Sequence, residues 1–128
     1  MMNLTMAILY VLFFHWVGDF ICQSRWMADN KNKSTYALTI HVLTYMTVML
    51  LSQEALAVTS SNTFQVQKAV WTYVLINGVL HWMTDFITSQ FTHHFAEKKE
   101  WYKFFSTVGL DQLIHQFCLI STIFYLNC

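Results

Sequence analysis

The chain contains the sequence HWVGDFI at residues 15–21, and a near copy, HWMTDFI, follows 66 residues later at residues 81–87. Five of the seven positions are identical, and each copy carries a His followed four residues later by an Asp. Positions four apart share one face of an α-helix. In apolar segments such as these, an ionisable pair is costly unless the two groups hold each other or a metal ion. The repeat therefore predicts two equivalent helices that carry polar functional groups in apolar surroundings.

The composition favours a membrane protein of one domain. Hydrophobic residues make up 55% of the 128 positions and charged residues only 11%, against roughly 25% charged in a soluble domain. With so few charges, a soluble fold could not cover its own surface, so we expect residues 1–128 to form a single integral-membrane domain with the lipid bilayer as its main partner. The formal net charge is zero, which gives no reason to expect a nucleic-acid partner.

Four apolar segments of about 20 residues are each long enough to cross the ~30 Å hydrocarbon core as a helix. They cover residues 2–22, 36–58, 69–92 and 104–127. The first segment does not resemble a signal peptide, because no basic residue precedes it and because His15 and Asp19 interrupt its end. The sequence therefore predicts an all-α, four-helix transmembrane bundle.

The basic residues predict how this bundle is oriented. They lie mainly in the first and third connections, as Arg25, Lys31, Lys33, Lys98, Lys99 and Lys103. The middle connection has only Lys68. Positively charged loops stay in the cytoplasm. We therefore expect a multi-pass protein of a bacterial inner membrane, with both termini on the non-cytoplasmic side.

The repeat also predicts an internal duplication. The two HWxxDFI helices cross the membrane in the same direction, so the halves, about 1–60 and 66–128, form two parallel helical hairpins related by an axis along the membrane normal. Each half places a further His on its second helix, His41 in the first and His115 in the second. Together with Asp111, these His and Asp residues all fall in the cytoplasmic half of the predicted bundle.

These ionisable residues form a candidate metal centre. The proposed ligands are His15, Asp19, His41, His81, Asp85, Asp111 and His115. Imidazole and carboxylate together suit zinc, iron or manganese. Seven ligands are more than one tetrahedral ion needs, so we expect two divalent transition metals bridged by Asp, as in bundles that build dinuclear centres from facing helices. Two alternatives stay open: each His bonds its own Asp and joins helices, or the residues form a proton or cation pathway.

The same residues include candidate catalytic groups. The sequence has no GxSxG, no HExxH and no Gly-rich phosphate loop, so any hydrolysis would use water activated by the metal. Asp19, Asp85 and Asp111 are the catalytic candidates, because an Asp that the metal does not fully engage can act as general base.

Three further polar residues lie near these candidates in the sequence. Gln23 lies one turn beyond Asp19, and Gln112 is next to Asp111; each can orient a ligand, contact substrate or simply pack. Lys31 can meet a phosphate or serve only to set the topology.

The motif order resembles one family across nearly the whole chain. HxxxDFxxQ spans residues 15–23 and WMAxxK spans residues 26–31; His41, HxxxD at residues 81–85 and DQxxH at residues 111–115 follow. This order resembles the domain-of-unknown-function family 3307, which comprises small bacterial and phage membrane proteins. The resemblance implies a polytopic inner-membrane protein with functional polar motif residues, and it carries Gln23, Lys31 and Gln112 into the candidate site as substrate-binding or supporting residues. It implies no reaction, substrate or cofactor.

The leading functional hypothesis is a metal-dependent hydrolase that cleaves a phosphoester or amide in a lipid or other anionic amphiphile at the cytoplasmic leaflet. One alternative is a transporter or channel for a cation or small solute, which with four helices would need to form a homo-oligomer. The other is a non-catalytic, metal-stabilised membrane protein of phage type that binds or inhibits a partner.

Overall fold

The computed structural model describes residues 3–59 and 64–127, and within these ranges it contains helices and no strand. The helices are α1 (Leu4–Trp16), a π-helical segment (Val17–Ile21), α2 (Arg25–Asn30), α3 (Thr35–Thr59), α4 (Phe64–Glu97) and α5 (Trp101–Asn127). The predicted all-α class is confirmed. The predicted segments and domain also include residues 1, 2, 60–63 and 128, which lie outside the described residues.

The N-terminal caps explain where the first two helices begin. The side chain of Asn3 accepts a hydrogen bond from the backbone N–H of Met6 at 2.9 Å, and Ser24 accepts one from Met27 at 3.2 Å. Such caps satisfy backbone donors that the first helical turn leaves unpaired. The cap at Ser24 starts α2 inside a stretch, residues 23–35, where the sequence analysis predicted only a connection.

A tight turn reverses the chain between α4 and α5. Lys99 has a φ of 55°, its N–H donates to the carbonyl of Ala96 at 3.0 Å, and the N–H of Glu100 donates to the carbonyl of Phe95 at 2.9 Å. This pair of bonds around a left-handed residue is a Schellman C-cap. The turn makes α5 antiparallel to α4 and packs the two helices together.

The four long helices form a square bundle. α1 packs against α3 and α5, α4 packs against the same two helices, and the backbones of α1 and α4 stay out of contact within the described ranges. The two helices that carry the HWxxDFI motifs therefore occupy opposite corners. A twofold axis along the bundle would produce this placement, and the division into two repeat halves stays a prediction.

The interior of the bundle has an apolar layer next to a polar layer. The apolar layer consists of Val11, Tyr45, Met49, Tyr73, Val74, Leu119 and Ile123. Moving one or two turns along each helix towards the α2 end, the buried residues become His and Asp. Because all four long helices contribute to both layers, the change from apolar to polar occurs at one level of the bundle.

Two stretches are long and apolar enough to cross a membrane. They are Leu4–Ile21, which runs through α1 and the π-helical segment, and Thr35–Ala57 in α3. Buried helices of soluble proteins meet the same criterion of length and composition. Membrane association is thus supported for the first half of the chain by this criterion alone.

Candidate metal centre

All seven ligands proposed from the sequence lie together in the polar layer. Six are buried, with exposed fractions of 0–4%: His15, Asp19, His41, His81, Asp85 and His115. Asp111 is 13% exposed and lies at the edge of the cluster. The four long helices and the π-helical segment each supply at least one of these side chains.

Four of the seven residues have the spacing of a tetrahedral metal site. Nε2 of His41 lies 3.1 Å from Oδ1 of Asp19, 3.2 Å from Oδ2 of Asp85 and 3.2 Å from Nε2 of His81. Nε2 of His81 lies 3.4 Å from the same oxygen of Asp19 and 3.7 Å from that of Asp85. Ligands 2.0–2.2 Å from a tetrahedral ion are roughly 3.3–3.6 Å apart. These four residues can therefore hold a metal ion.

The π-helical segment places Asp19 differently from its repeat partner. Asp85 extends from regular α4, whereas Asp19 lies within Val17–Ile21, where the backbone is wound more widely. A Cβ on Gly18 in this segment would lie 3.1 Å from the ring of Tyr45 and 3.5 Å from its backbone. Glycine thus lets the segment approach α3 closely, and Asp19 reaches His41 on that helix.

Two further groups share residues with the central four. One consists of His15, Asp19 and His115, and the other of Asp85, Asp111 and His115. In the second, Nε2 of His115 lies 3.5 Å from Oδ1 of Asp85, and its Nδ1 lies 3.5 Å from Oδ2 of Asp111. Asp19 and Asp85 thus connect the central group to its neighbours, as a carboxylate that bridges two metal ions would.

Several polar atoms of the centre are buried without a hydrogen-bond partner among the described residues. They include Oδ1 of Asp85 and both ring nitrogens of His115. An unpartnered buried polar atom is costly, and a cation between Asp85 and His115 would satisfy Oδ1 and one of the two ring nitrogens. His41 and His81 direct Nε2 towards the centre, and their buried Nδ1 atoms also have no partner there, so packing rather than hydrogen bonding fixes these rings.

Gln112 joins the carboxylates on the two sides of the centre. Its Nε2 donates to Oδ2 of Asp19 at 2.8 Å and to Oδ2 of Asp111 at 3.1 Å, while its Oε1 lies 3.2 Å from Nε2 of His15. The hydroxyl of Thr88 donates to the other oxygen of Asp111. The amide therefore supports two proposed ligands, which fits the supporting role predicted for Gln112.

Lys31 lies against the centre as its nearest fixed cation. Its Nζ donates to Oδ2 of Asp85 at 2.8 Å, and the side chain is 20% exposed. Burial alone would lower the pKa of Lys31, but the carboxylates of Asp85 and Asp19 raise it above the usual lysine value. With neutral imidazoles, three carboxylates and one ammonium leave two formal negative charges, which one divalent cation would balance.

Two residues of the site were missed by the sequence analysis. Tyr45 stacks on the ring of His81 at 4.1 Å between centroids and meets His15 edge-on at 5.6 Å, so this member of the apolar layer packs directly against the centre. Thr88 bonds Asp111. It lies three residues after Asp85, on the same helical face, and this spacing was the one signal that could have found it.

A cavity of about 620 Å³ adjoins the centre on the side away from the apolar layer. Asp19, Asp111 and Gln112 form its inner wall, and Lys31 and Gln23 also line it. Gln23 does not bond to the proposed ligands; its buried Oε1 has no hydrogen-bond partner among the described residues. A volume of this size suits a small-molecule ligand.

His93 and His94, near the end of α4, are not part of the centre. Nε2 of His93 pairs with Glu97 at 3.1 Å, and the His93 side chain is 38% exposed. His94 is exposed as well. Both belong to the charged end of α4.

No curated protein and no solved structure is significantly similar to the chain. The sequence model of DUF3307, described as a protein of unknown function, matches residues 7–127. That range is nearly the whole chain, and it contains every residue of the candidate centre. The resemblance drawn from the order of the motifs is thereby confirmed, and the chain belongs to the DUF3307 family.

Proposed function

We propose that this protein is an integral-membrane, metal-dependent hydrolase that cleaves a phosphoester or amide in a lipid or other amphiphile at the cytoplasmic leaflet. The observation that carries the proposal is the group of four buried ligands at tetrahedral spacing beside a polar cavity. A metal site next to a cavity that can admit substrate and water is what hydrolysis needs.

The exterior of the bundle supports four membrane-spanning helices. α4 and α5 are not apolar enough on average to count as membrane spans. They nevertheless present large apolar side chains to the outside: Trp71, Leu75, Val79, Met83, Ile87 and Phe91 on α4, and Phe105, Leu110, Leu113, Phe117 and Phe124 on α5. The His and Asp residues in their middle turns, His81, Asp85, Asp111 and His115, face the interior instead. Apolar outside and ionisable inside is the reverse of a soluble domain, and it fits a bundle surrounded by lipid.

The position of the cavity supports the cytoplasmic leaflet. The cavity is lined by Lys31 and Lys33, from the first of the two basic connections. Basic connections stay on the cytoplasmic side of an inner membrane. In this orientation the cavity opens towards the cytoplasm, and the apolar layer lies towards the non-cytoplasmic face.

The proposed metal centre is dinuclear. Asp19, His41, His81 and Asp85 would hold one divalent ion, and Asp111 and His115 would hold a second. Zinc, iron and manganese all accept this ligand set, and the tetrahedral spacing of the first site favours zinc. The ions would act as Lewis acids and activate a water molecule for attack. Since one divalent ion already balances the formal charge of the centre, a second would leave it positive and favour an anionic phosphoester.

The residues of the chain then have distinct roles in hydrolysis. Asp111 is the most exposed of the three carboxylates, and Thr88 and Gln112 fix its orientation, so it is placed to accept the proton of the attacking water. As the bond from phosphorus or carbonyl carbon to the leaving group breaks, Asp111 returns that proton to the leaving oxygen or nitrogen. Lys31 holds the anionic part of the substrate beside the metal.

The apolar layer favours hydrolysis over transport. A solute path through the bundle would have to continue past the centre, but Val11, Met49 and Leu119 pack together there and are 5% exposed or less. The polar cavity thus opens on one side of the centre. A one-sided site suits an enzyme whose substrate and product use the same leaflet.

Elemental analysis of the purified protein tests the metal centre. We expect about two equivalents of a transition metal per chain, reduced to about one by His81→Ala because the four-residue site loses one of its ligands. His94→Ala is the matched control, since His94 lies outside the centre, and it should keep the metal. Wild-type protein with less than about half an equivalent, unchanged by His81→Ala, would overturn the proposal.

Turnover tests the reaction. We expect wild-type protein in maltoside micelles to release a chromogenic leaving group from an alkyl phosphodiester or an alkyl amide. Asp111→Asn should lower that rate by about 10²–10⁴, the range for loss of a general base. Metal-loaded protein that hydrolyses neither class of amphiphile would show that the centre is not hydrolytic.

A further inference from the structure

The cavity beside the metal centre has a polar wall and an apolar wall. Lys31, Lys33 and His93 contribute cationic or hydrogen-bonding groups and form the polar wall. Phe20, from the π-helical segment, and Val108, from α5, form the apolar wall. A ligand that fills this space needs a polar end and an apolar end.

The apolar wall continues to the outer surface of the bundle. The π-helical segment and α5 are joined near the centre through Gln112 and Asp19, 2.8 Å apart. Further towards the α2 end, Phe20, Phe104 and Val108 line the cavity between the two elements instead of closing it. Phe20 is 43% exposed. The cavity therefore opens sideways, at a level where the surrounding surface is apolar.

The polar wall favours an anion. Lys31 and Lys33 are the cations of the cavity wall, and Asp29 is the acidic residue on the same side. The other two carboxylates of the lining, Asp19 and Asp111, belong to the proposed metal centre, where metal ions offset their charge. With metal bound at Asp19 and Asp111, the lysines and the metal centre together would give the cavity a positive end.

We propose that the cavity binds an anionic phospholipid, with its phosphate beside Lys31 and Lys33 and an acyl chain leaving between the π-helical segment and α5 past Phe20 and Val108. This inference rests on the membrane placement in the proposed function and names the substrate class of the same site. The lateral opening lets such a lipid reach the metal centre from the inner leaflet without leaving the bilayer. Free inorganic phosphate could make the same contacts as the head group, but it has no apolar part to contact the apolar wall.

Native mass spectrometry from maltoside micelles tests this inference without requiring turnover. Protein is offered equimolar phosphatidylglycerol and phosphatidylcholine with identical acyl chains. We expect one phosphatidylglycerol per chain to be retained, with a preference of about tenfold, or 1.4 kcal/mol. Val108→Trp fills the opening and should abolish this retention, whereas Leu113→Trp, exposed on the same helix, should leave it unchanged.

A second pair of variants tests the head group without altering the packing of the bundle. Lys33 is exposed at the cavity, so Lys33→Glu should reduce the preference for phosphatidylglycerol by about tenfold. Lys98→Glu makes the same change at an exposed position outside the cavity and should not. This pair keeps the inference testable if Val108→Trp does not fold.

Three results would overturn the inference. Equal retention of the two lipids by wild-type protein would show that the site does not select an anionic head group. Unchanged retention by Val108→Trp, with its metal content intact, would show that the acyl chain does not leave past Val108. Displacement of the lipid by millimolar inorganic phosphate, equally in wild type and Val108→Trp, identifies free phosphate as the ligand. Retained phosphatidylglycerol without any hydrolysis would refute the proposed reaction and leave the lipid site standing.

Discussion

Gln112 hydrogen-bonds to carboxylates on both sides of the centre. Its amide nitrogen donates to Asp19 from the π-helical segment and to Asp111 on its own helix. Groups that hydrogen-bond metal ligands fix the orientation of those ligands and tune their affinity. A neutral donor does this without adding charge to the centre.

Replacing Gln112 by Leu keeps most of the side-chain volume and removes both hydrogen bonds. We expect metal affinity to fall by about 10–100-fold, because two carboxylates lose the donor that orients them. Competition with a chromophoric chelator measures the change. Gln116→Leu, at an exposed position one turn later on α5, should leave the affinity unaltered. Equal affinities for the two variants would mean that Gln112 only packs.

At the scale of residues, spacing predicted the candidate site well. Each His–Asp pair at four-residue spacing had to share a helical face, and an apolar segment leaves such a pair few places except the interior. Tyr45 and Thr88 were not predictable in this way. An apolar helix contains many aromatic and Thr residues, and only the packing of α3 and α5 against α4 selects these two.

The π-helical segment is the element that makes the two repeat halves differ. Its close approach to α3 requires a residue without a side chain, and Gly18 supplies it. The corresponding position in the second half is Thr84, where α4 remains a regular helix. π-helical turns occur often at functional sites, and here the turn places Asp19 against His41.

Gly18→Val tests this contact between the π-helical segment and α3. The new Cβ would lie 3.1 Å from the Tyr45 ring, and its methyl groups would push the segment outwards, so we expect a loss of about 1–3 kcal/mol in the free energy of unfolding. Metal content should fall as well, because Asp19 moves with the segment. Thermal melts with metal analysis measure both effects.

Gly109→Val is the matched control for that substitution. Among the described residues, nothing outside the local turns of α5 lies within 4 Å of a Cβ at this position, so the change should alter stability by no more than about 0.5 kcal/mol. If the two valine variants melt at the same temperature, the approach of Gly18 to Tyr45 is not required.

The long helices were predictable as elements, and the short ones were not. Apolar length alone located α1, α3, α4 and α5 to within a few residues. The six-residue α2 has too few turns to show a periodic pattern, and the π-helical winding has no counterpart in the second HWxxDFI copy. α4 also extends to Glu97, beyond the apolar segment predicted to end at residue 92, because polar residues continue a helix as well as apolar ones do.

At the scale of the whole molecule, the proposed centre ties the four long helices together. A metal that binds only the folded bundle stabilises it by an amount set by the free metal concentration, about 2.7 kcal/mol at a hundredfold excess over Kd. We therefore expect chelation to lower the Tm of the wild-type protein. Chelation should lower the Tm of His81→Ala by a smaller amount, because that variant has already lost one of the two ions. A wild-type Tm that chelation leaves unchanged would count against a metal that joins the helices.

The orientation of the bundle determines which leaflet of the membrane the cavity opens towards. Single-cysteine variants can report on which side of the membrane each position lies. The native cysteines are first changed to Ser, and each variant is then treated with a membrane-impermeant maleimide. We expect Asn3→Cys to react in intact cells, and Lys33→Cys and Lys98→Cys to react only after the inner membrane is permeabilised, because basic connections stay in the cytoplasm. The reverse pattern would place Lys33 and the cavity on the outer side. An anionic lipid of the inner leaflet could then not reach the metal centre, whatever the metal content of the protein.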